Sequence, residues 1–108
     1  MVLGIFSRTY QQIGIDRIFA RIRQDGFQAV QFNFSSAGLP SLPTEWPETA
    51  TSEVMVAAAQ RDLTLCAISG TYNMAHPDAA RRRGNRIGFA NVVRAAQVMR
   101  VPLVTLCT

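Results

Sequence analysis

Leu63-Thr64-Leu65-Cys66-Ala67-Ile68 is a short, largely apolar run, followed by the polar stretch Ser69-Gly70-Thr71-Tyr72-Asn73-Met74-Ala75-His76-Pro77-Asp78. Beyond it, Phe89, Val92, Val93, Ala96 and Met99 recur at helical spacing, and Pro102-Leu103-Val104-Thr105-Leu106-Cys107 is apolar again. A run too short for a helix, a stretch with helical periodicity and a second short run read as strand, helix, strand. The spacing predicts a strand near 63–68, a helix near 78–99 and a strand near 102–107. Pro102 ends the helix, because proline disfavours helical backbone in the residue before it.

The same grammar extends toward the N-terminus. Val2 to Phe6 predicts a strand near 2–6, and Ile15, Ile18, Phe19 and Ile22 mark the buried stripe of a helix near 11–24. Asp25-Gly26 is a helix stop, with glycine suited to the left-handed cap. A strand near 28–32 follows. Residues 35–48, with Pro40, Pro43 and Pro47, predict a long loop of the kind that is often functional. Thr51 or Ser52 is the expected cap of a helix near 51–62. The order β-α-β-α-β-α-β predicts an α/β protein with a parallel sheet and right-handed crossovers. Strands that are apolar rather than alternating predict a sheet covered on both faces.

The chain has 108 residues, 48% of them hydrophobic, which fits one globular domain and excludes a disordered tail. Its 11 basic residues are all arginine and outnumber 7 acidic ones, giving a net charge of +4. No apolar run reaches the roughly 18 residues of a spanning helix. No basic region precedes the run at 2–6, so no signal peptide is expected. Cys66 and Cys107 form no CxxC pair, so two reduced thiols and a cytoplasmic location are expected. Arg81-Arg82-Arg83 and Arg86 are the densest charge, but successive helical residues point about 100° apart and form no narrow stripe. With no aromatic residues interleaved to stack bases, a solvated helix face is favoured over a phosphate or acidic partner, and nucleic acid is disfavoured.

The sequence ends directly after the fourth predicted strand. A TIM (β/α)8 barrel has eight such units over about 250 residues. The expectation is therefore the N-terminal half of such a barrel, with open edges at its first and fourth strands. Open edges recruit other strands, which predicts self-association or a missing C-terminal half.

The segment Ile68 to Asp78, with its Asn-Met-x-His-Pro-Asp motif, resembles the third strand-to-helix loop of the sugar phosphate isomerase/epimerase family, in the xylose isomerase-like TIM barrel superfamily. Leu3-Gly4-Ile5-Phe6-Ser7, Gly26-Phe27-Gln28-Ala29-Val30-Gln31 and Leu103-Val104-Thr105-Leu106-Cys107-Thr108 are similar to its first, second and fourth strands. The resemblance implies a sugar or sugar-phosphate isomerase or epimerase. A divalent metal (Mn, Mg, Co or Zn) would polarise the substrate oxygens while carboxylates move a proton between adjacent carbons. It also implies that the metal ligands lie on later strands, outside this chain. Asp16, Asp25, Glu53 and Asp62 fall in helices or at their ends, and Glu45 and Glu48 in the proline-rich loop. The fragment alone is thus expected to be inactive, with no catalytic residue of its own. The alternatives are a non-catalytic half-barrel assembly module and an apurinic-endonuclease-like member. The latter's histidines are missing at Ala67-Ile68-Ser69 and Leu106-Cys107-Thr108.

Candidate substrate contacts follow the strand ends, where barrel active sites lie. They are Arg8 after the first strand, Asn33 after the second, and Ser69, Tyr72, Asn73 and His76 after the third. Three have a plainer alternative. Arg8 is equally a rim residue, and Asn73 a local turn former. His76-Pro77 is a good helix entry, and without carboxylate or thiolate neighbours His76 makes a poor metal ligand. Gly70 is expected to serve a turn, and Trp46 to anchor the long loop rather than cover a sugar.

Overall fold

The computed structural model describes residues 1–12 and 14–106. Four strands, β1 (Gly4–Phe6), β2 (Ala29–Phe32), β3 (Thr64–Ser69) and β4 (Val104–Thr105), alternate with three helices, α1 (Ile15–Gln24), α2 (Glu48–Gln60) and α3 (Ala79–Met99). All strand pairs are parallel and the order is β1-β2-β3-β4. The chain is an α/β protein, as its alternating pattern predicts. No helix among the described residues is long and apolar enough to cross a membrane.

Register divides the sheet into two faces. Ile5, Val30 and Leu65 are aligned across three strands, as are Phe32, Ile68 and Val104. These six pack into one core with Ile18, Phe19 and Ile22 of α1, Val54 of α2 and Val92 of α3. The opposite face carries Gly4-Ala29-Thr64, Phe6-Gln31-Ala67 and Ser69-Thr105. There Phe6 is 59% exposed. Among the described residues, then, the helices cover one face only, which corrects the expectation of a sheet buried on both sides. The apolar reading misled because the open face is made largely of small residues, of which Ala29 and Ala67 are buried without any helix over them, outside the core cluster.

One irregularity separates the faces. The β2–β3 register slips between Val30 and Gln31, leaving Cys66 as the extra residue of a bulge. Its Sγ–H donates to the Val30 carbonyl at 3.3 Å, and the thiol is free. Cys107 lies outside the described residues.

Helix ends follow the chemistry of their caps. Gly26, Asp62 and Arg100 all have positive φ, at 94°, 54° and 55°. Each is followed by an apolar residue whose N–H returns to the preceding helix: Phe27 to Ile22, Leu63 to Ala58 and Val101 to Ala96. These are Schellman closures, and each aims the chain into the next strand.

The helix starts differ from the sequence pattern. Gly14, at φ 91°, holds the entry of α1, so the helix starts at Ile15 instead of residue 11. Pro47 precedes α2, which starts at Glu48, so Thr51 lies within the helix and caps nothing. In the predicted loop 35–48, residues Phe34–Ala37 form a 3-10 turn closed by Gly38 at φ 78°. The first and fourth strands are shorter than predicted, at Gly4–Phe6 and Val104–Thr105.

Candidate functional site

The C-terminal ends of β1, β2 and β3 open onto a cavity of about 440 Å³ lined by Phe6, Arg8, Thr9, Gln31, Asn33 and Ser69. In parallel α/β sheets this end collects ligands, because the loops that vary and bind emerge there. Three predicted residues, Arg8, Asn33 and Ser69, meet here. Phe6, Thr9 and Gln31 are additions. Gln31 was legible in principle, since it is the polar residue interrupting the apolar run of β2.

The wall is held by side-chain hydrogen bonds centred on Asn33, which is only 3% exposed. Its Oδ1 accepts the Ser35 N–H at 2.8 Å and the Ser41 hydroxyl at 3.0 Å. Its own N–H donates to Ser7 Oγ at 3.1 Å, and that oxygen lies 2.8 Å from Ser36 Oγ. The backbone donor at Ser35 fixes which amide atom is oxygen. Nδ2 therefore remains, with no acceptor among the described residues. Gln31 Nε2 donates to Thr105 Oγ1 at 2.8 Å, that hydroxyl in turn donating toward the Ile68 carbonyl at 3.5 Å, and Oε1 has no donor among the described residues. Arg8 is exposed, and no acidic partner pairs with it among the described residues. The cavity thus offers one cation, an amide donor, an amide acceptor and two hydroxyls, beside the Phe6 ring.

Tyr72, Asn73 and His76 line no part of this cavity. Tyr72 lies against Phe89, with ring centroids 5.5 Å apart. Asn73 Oδ1 accepts the Ala75 N–H at 3.0 Å, a local turn. His76 Nδ1 accepts the Asp78 N–H at 3.1 Å, while Asp78 Oδ1 accepts the Ala80 N–H at 2.9 Å and caps α3. Arg82 donates to the His76 carbonyl at 2.6 Å, and Arg81 Nη1 lies 3.3 Å from His76 Nε2. The histidine motif is therefore a helix entry, and two arginines of the cluster are turned onto it. Gly70 serves space instead of a turn, because its φ is not positive and a Cβ there would come within 2.9 Å of the Phe89 ring.

The long loop is anchored on α3. Asn91 Nδ2 donates to the Pro43 carbonyl at 2.8 Å, and the Arg94 guanidinium lies 4.1 Å from the Trp46 ring centre. A Cβ on Gly88 would lie 2.5 Å from the Leu42 carbonyl oxygen. A second cavity, of about 500 Å³, is lined by this loop and the start of α2, with Glu45, Trp46, Glu48 and Glu53 among its walls.

No group of three or more His, Cys, Asp or Glu side chains among the described residues could hold a metal ion. The lining of the strand-end cavity contains none of these residue types. The divalent metal implied by the family resemblance does not fit the residues present.

No family model, curated protein or solved structure matches the chain. Fold and site together define an α/β protein with a sequentially ordered parallel sheet and a polar cavity at the strand ends.

Proposed function

We propose that this chain is part of a (β/α)8 barrel of the sugar isomerase/epimerase kind, and that its strand-end cavity binds a sugar or sugar phosphate. The strand order supports the barrel. A sheet whose neighbours are consecutive in sequence, with its helices on one face, has the winding of a barrel, whereas doubly wound sheets reverse their order. The cavity wall carries the ligand reading, because Gln31 and Asn33 present a fixed acceptor and a fixed donor beside two hydroxyls and the Phe6 ring. Such a mixture matches a polyol with an apolar flank.

The residues present bind and orient, but they do not move a proton between carbons. Amides, hydroxyls and a guanidinium are poor bases at neutral pH. The carboxylates and metal of an isomerase would come from polypeptide outside the described residues, and no step is assigned to this chain. Titration with a panel of aldoses, ketoses and their phosphates, followed by amide NMR, tests this function. Shifts centred on Gln31, Asn33 and Ser69 are expected. An absence of shifts with every sugar, or shifts confined to the Trp46 cavity, would overturn it.

A second reading, association through the uncovered face, is favoured by the exposure of Phe6 on that face, at 59%. It predicts a dimer by light scattering, and a strict monomer at high concentration would remove it.

A further inference from the structure

We propose that the groove beside Trp46 docks an extended peptide in which basic and apolar residues alternate. The groove shares no lining residue with the strand-end cavity, so the inference stands apart from the sugar reading. Its two walls differ in chemistry. The loop wall carries Leu39, Pro43 and Trp46; Pro43 is buried, and Leu39 and Trp46 pack against the core. The α2 wall carries Glu48 and Glu53, and Glu45 stands where the loop approaches the helix; all three are exposed. Charge decides the occupant. The chain has 11 arginines and a net charge of +4, yet three of its 7 acidic residues line this one groove. Asp16 and Asp25 are paired with Arg61 and Arg21, and Asp78 caps α3. No arginine pairs with Glu45, Glu48 or Glu53 among the described residues. Glu48, in the first turn of α2, suits the helix dipole. Glu45 precedes the helix and Glu53 lies beyond its first turn, so helix stability does not account for them.

The groove is also built in advance. Asn91 holds the Pro43 carbonyl at 2.8 Å, and the Arg94 guanidinium lies 4.1 Å from the Trp46 ring centre while lining no part of the groove. Walls fixed beforehand lower the ordering cost of binding. Spacing selects the backbone of the occupant. Glu48 and Glu53 are five residues apart in α2, about 7.5 Å along its axis. In an extended chain, residues i and i+2 point the same way about 6.6–6.8 Å apart, and residue i+1 points the other way. Two basic residues separated by one therefore meet the two carboxylates, while the residues between them turn toward Trp46 and Leu39. Tryptophan anchors of this kind are frequent where peptides and proteins bind most strongly.

Three acetylated and amidated octapeptides test this, titrated into the full chain at constant ionic strength: alternating Arg and Leu, alternating Arg and Ser, and alternating Glu and Leu. Emission from Trp46 and amide NMR shifts over residues 44–53 read the binding. The Arg-Leu peptide is expected to move both saturably, and to bind tenfold or more tightly than either of the others. Glu48→Gln with Glu53→Gln is expected to weaken it tenfold or more, and Glu53→Gln alone severalfold. Asp62→Asn, a carboxylate change at the far end of α2, is expected to leave its affinity unchanged. Circular dichroism checks that each variant is folded. Equal binding of the Arg-Ser peptide would reduce the effect to surface charge, and equal binding of arginine amide would make the occupant a small cation. Either result overturns the inference, as does an Arg-Leu peptide that fails to bind or that binds the folded double variant as tightly.

Discussion

Gln31 of β2 reaches across β3 to Thr105 of β4, its Nε2 donating to the threonine Oγ1 at 2.8 Å. This contact joins two strands that are not neighbours in the sheet and lies over the buried Ala67. β4 is only two residues long, so a side-chain tether is a sizeable share of what holds it. Gln31→Leu is expected to cost about 1 kcal/mol, a typical net hydrogen-bond contribution. Urea midpoints measure this, and faster amide exchange at Gly70, whose N–H donates to the Thr105 carbonyl, would localise the loss.

Two glycines of α3 are expected to respond in opposite directions. At Gly88 a Cβ would lie 2.5 Å from the Leu42 carbonyl oxygen, whereas at Gly84 it would meet nothing within 4 Å. Gly88→Ala must push the loop away and is expected to cost about 1–3 kcal/mol, as overpacking does. Gly84→Ala is expected to add about 0.5–1 kcal/mol, the gain of alanine over glycine within a helix. Emission from Trp46, the only tryptophan, reports loop displacement and should change in Gly88→Ala alone.

The left-handed closures offer a third pair. Arg100, at φ 55°, bears the strain that glycine avoids at Gly26, φ 94°. Left-handed backbone costs an L-residue about 1–2 kcal/mol. Arg100→Gly is expected to raise stability by about 1 kcal/mol, and Gly26→Ala to lower it by a similar amount. Thermal midpoints of the two variants, moving in opposite senses, check this.

Tyr10 sets an alkaline limit. Its phenol is held above the ordinary value of 10.0, first by its removal from water and then by donating to Asp25 Oδ2 at 2.8 Å. Folding thus favours the protonated form. That contribution is whole below the unfolded value and is lost as pH rises through the higher folded one. Tyr10→Phe cannot ionise there. The stability advantage of the native chain over this variant should therefore hold at pH 8–9 and shrink above about pH 10, as read from paired urea curves.

Much of the fold was legible because its signals are local. Ile15, Ile18, Phe19 and Ile22 mark the buried face of α1 at helical spacing, and all four are buried. Gly26 closes that helix as its residue type demands. What stayed hidden depends on contacts distant in sequence. α2 starts at Glu48, directly after Pro47, so Thr51 is an interior residue, and the loop before the helix is pinned to α3 through Asn91 and Arg94. For the cavity, strand-end position placed Arg8, Asn33 and Ser69, but could not tell them from Asn73 and His76. Those two look equally functional by residue type. Only the local bonds from Asn73 to Ala75 and from His76 to Asp78 show their side chains occupied in turning the chain into α3.

The sequential strand order also bears on how the molecule is made. Each strand pairs with the one translated just before it, so every new unit finds its template already present at the ribosome. β2 can dock on β1, and β3 on β2, without waiting for distant segments to emerge. Such an order permits assembly in the direction of synthesis, with loop-closure entropy met in short instalments.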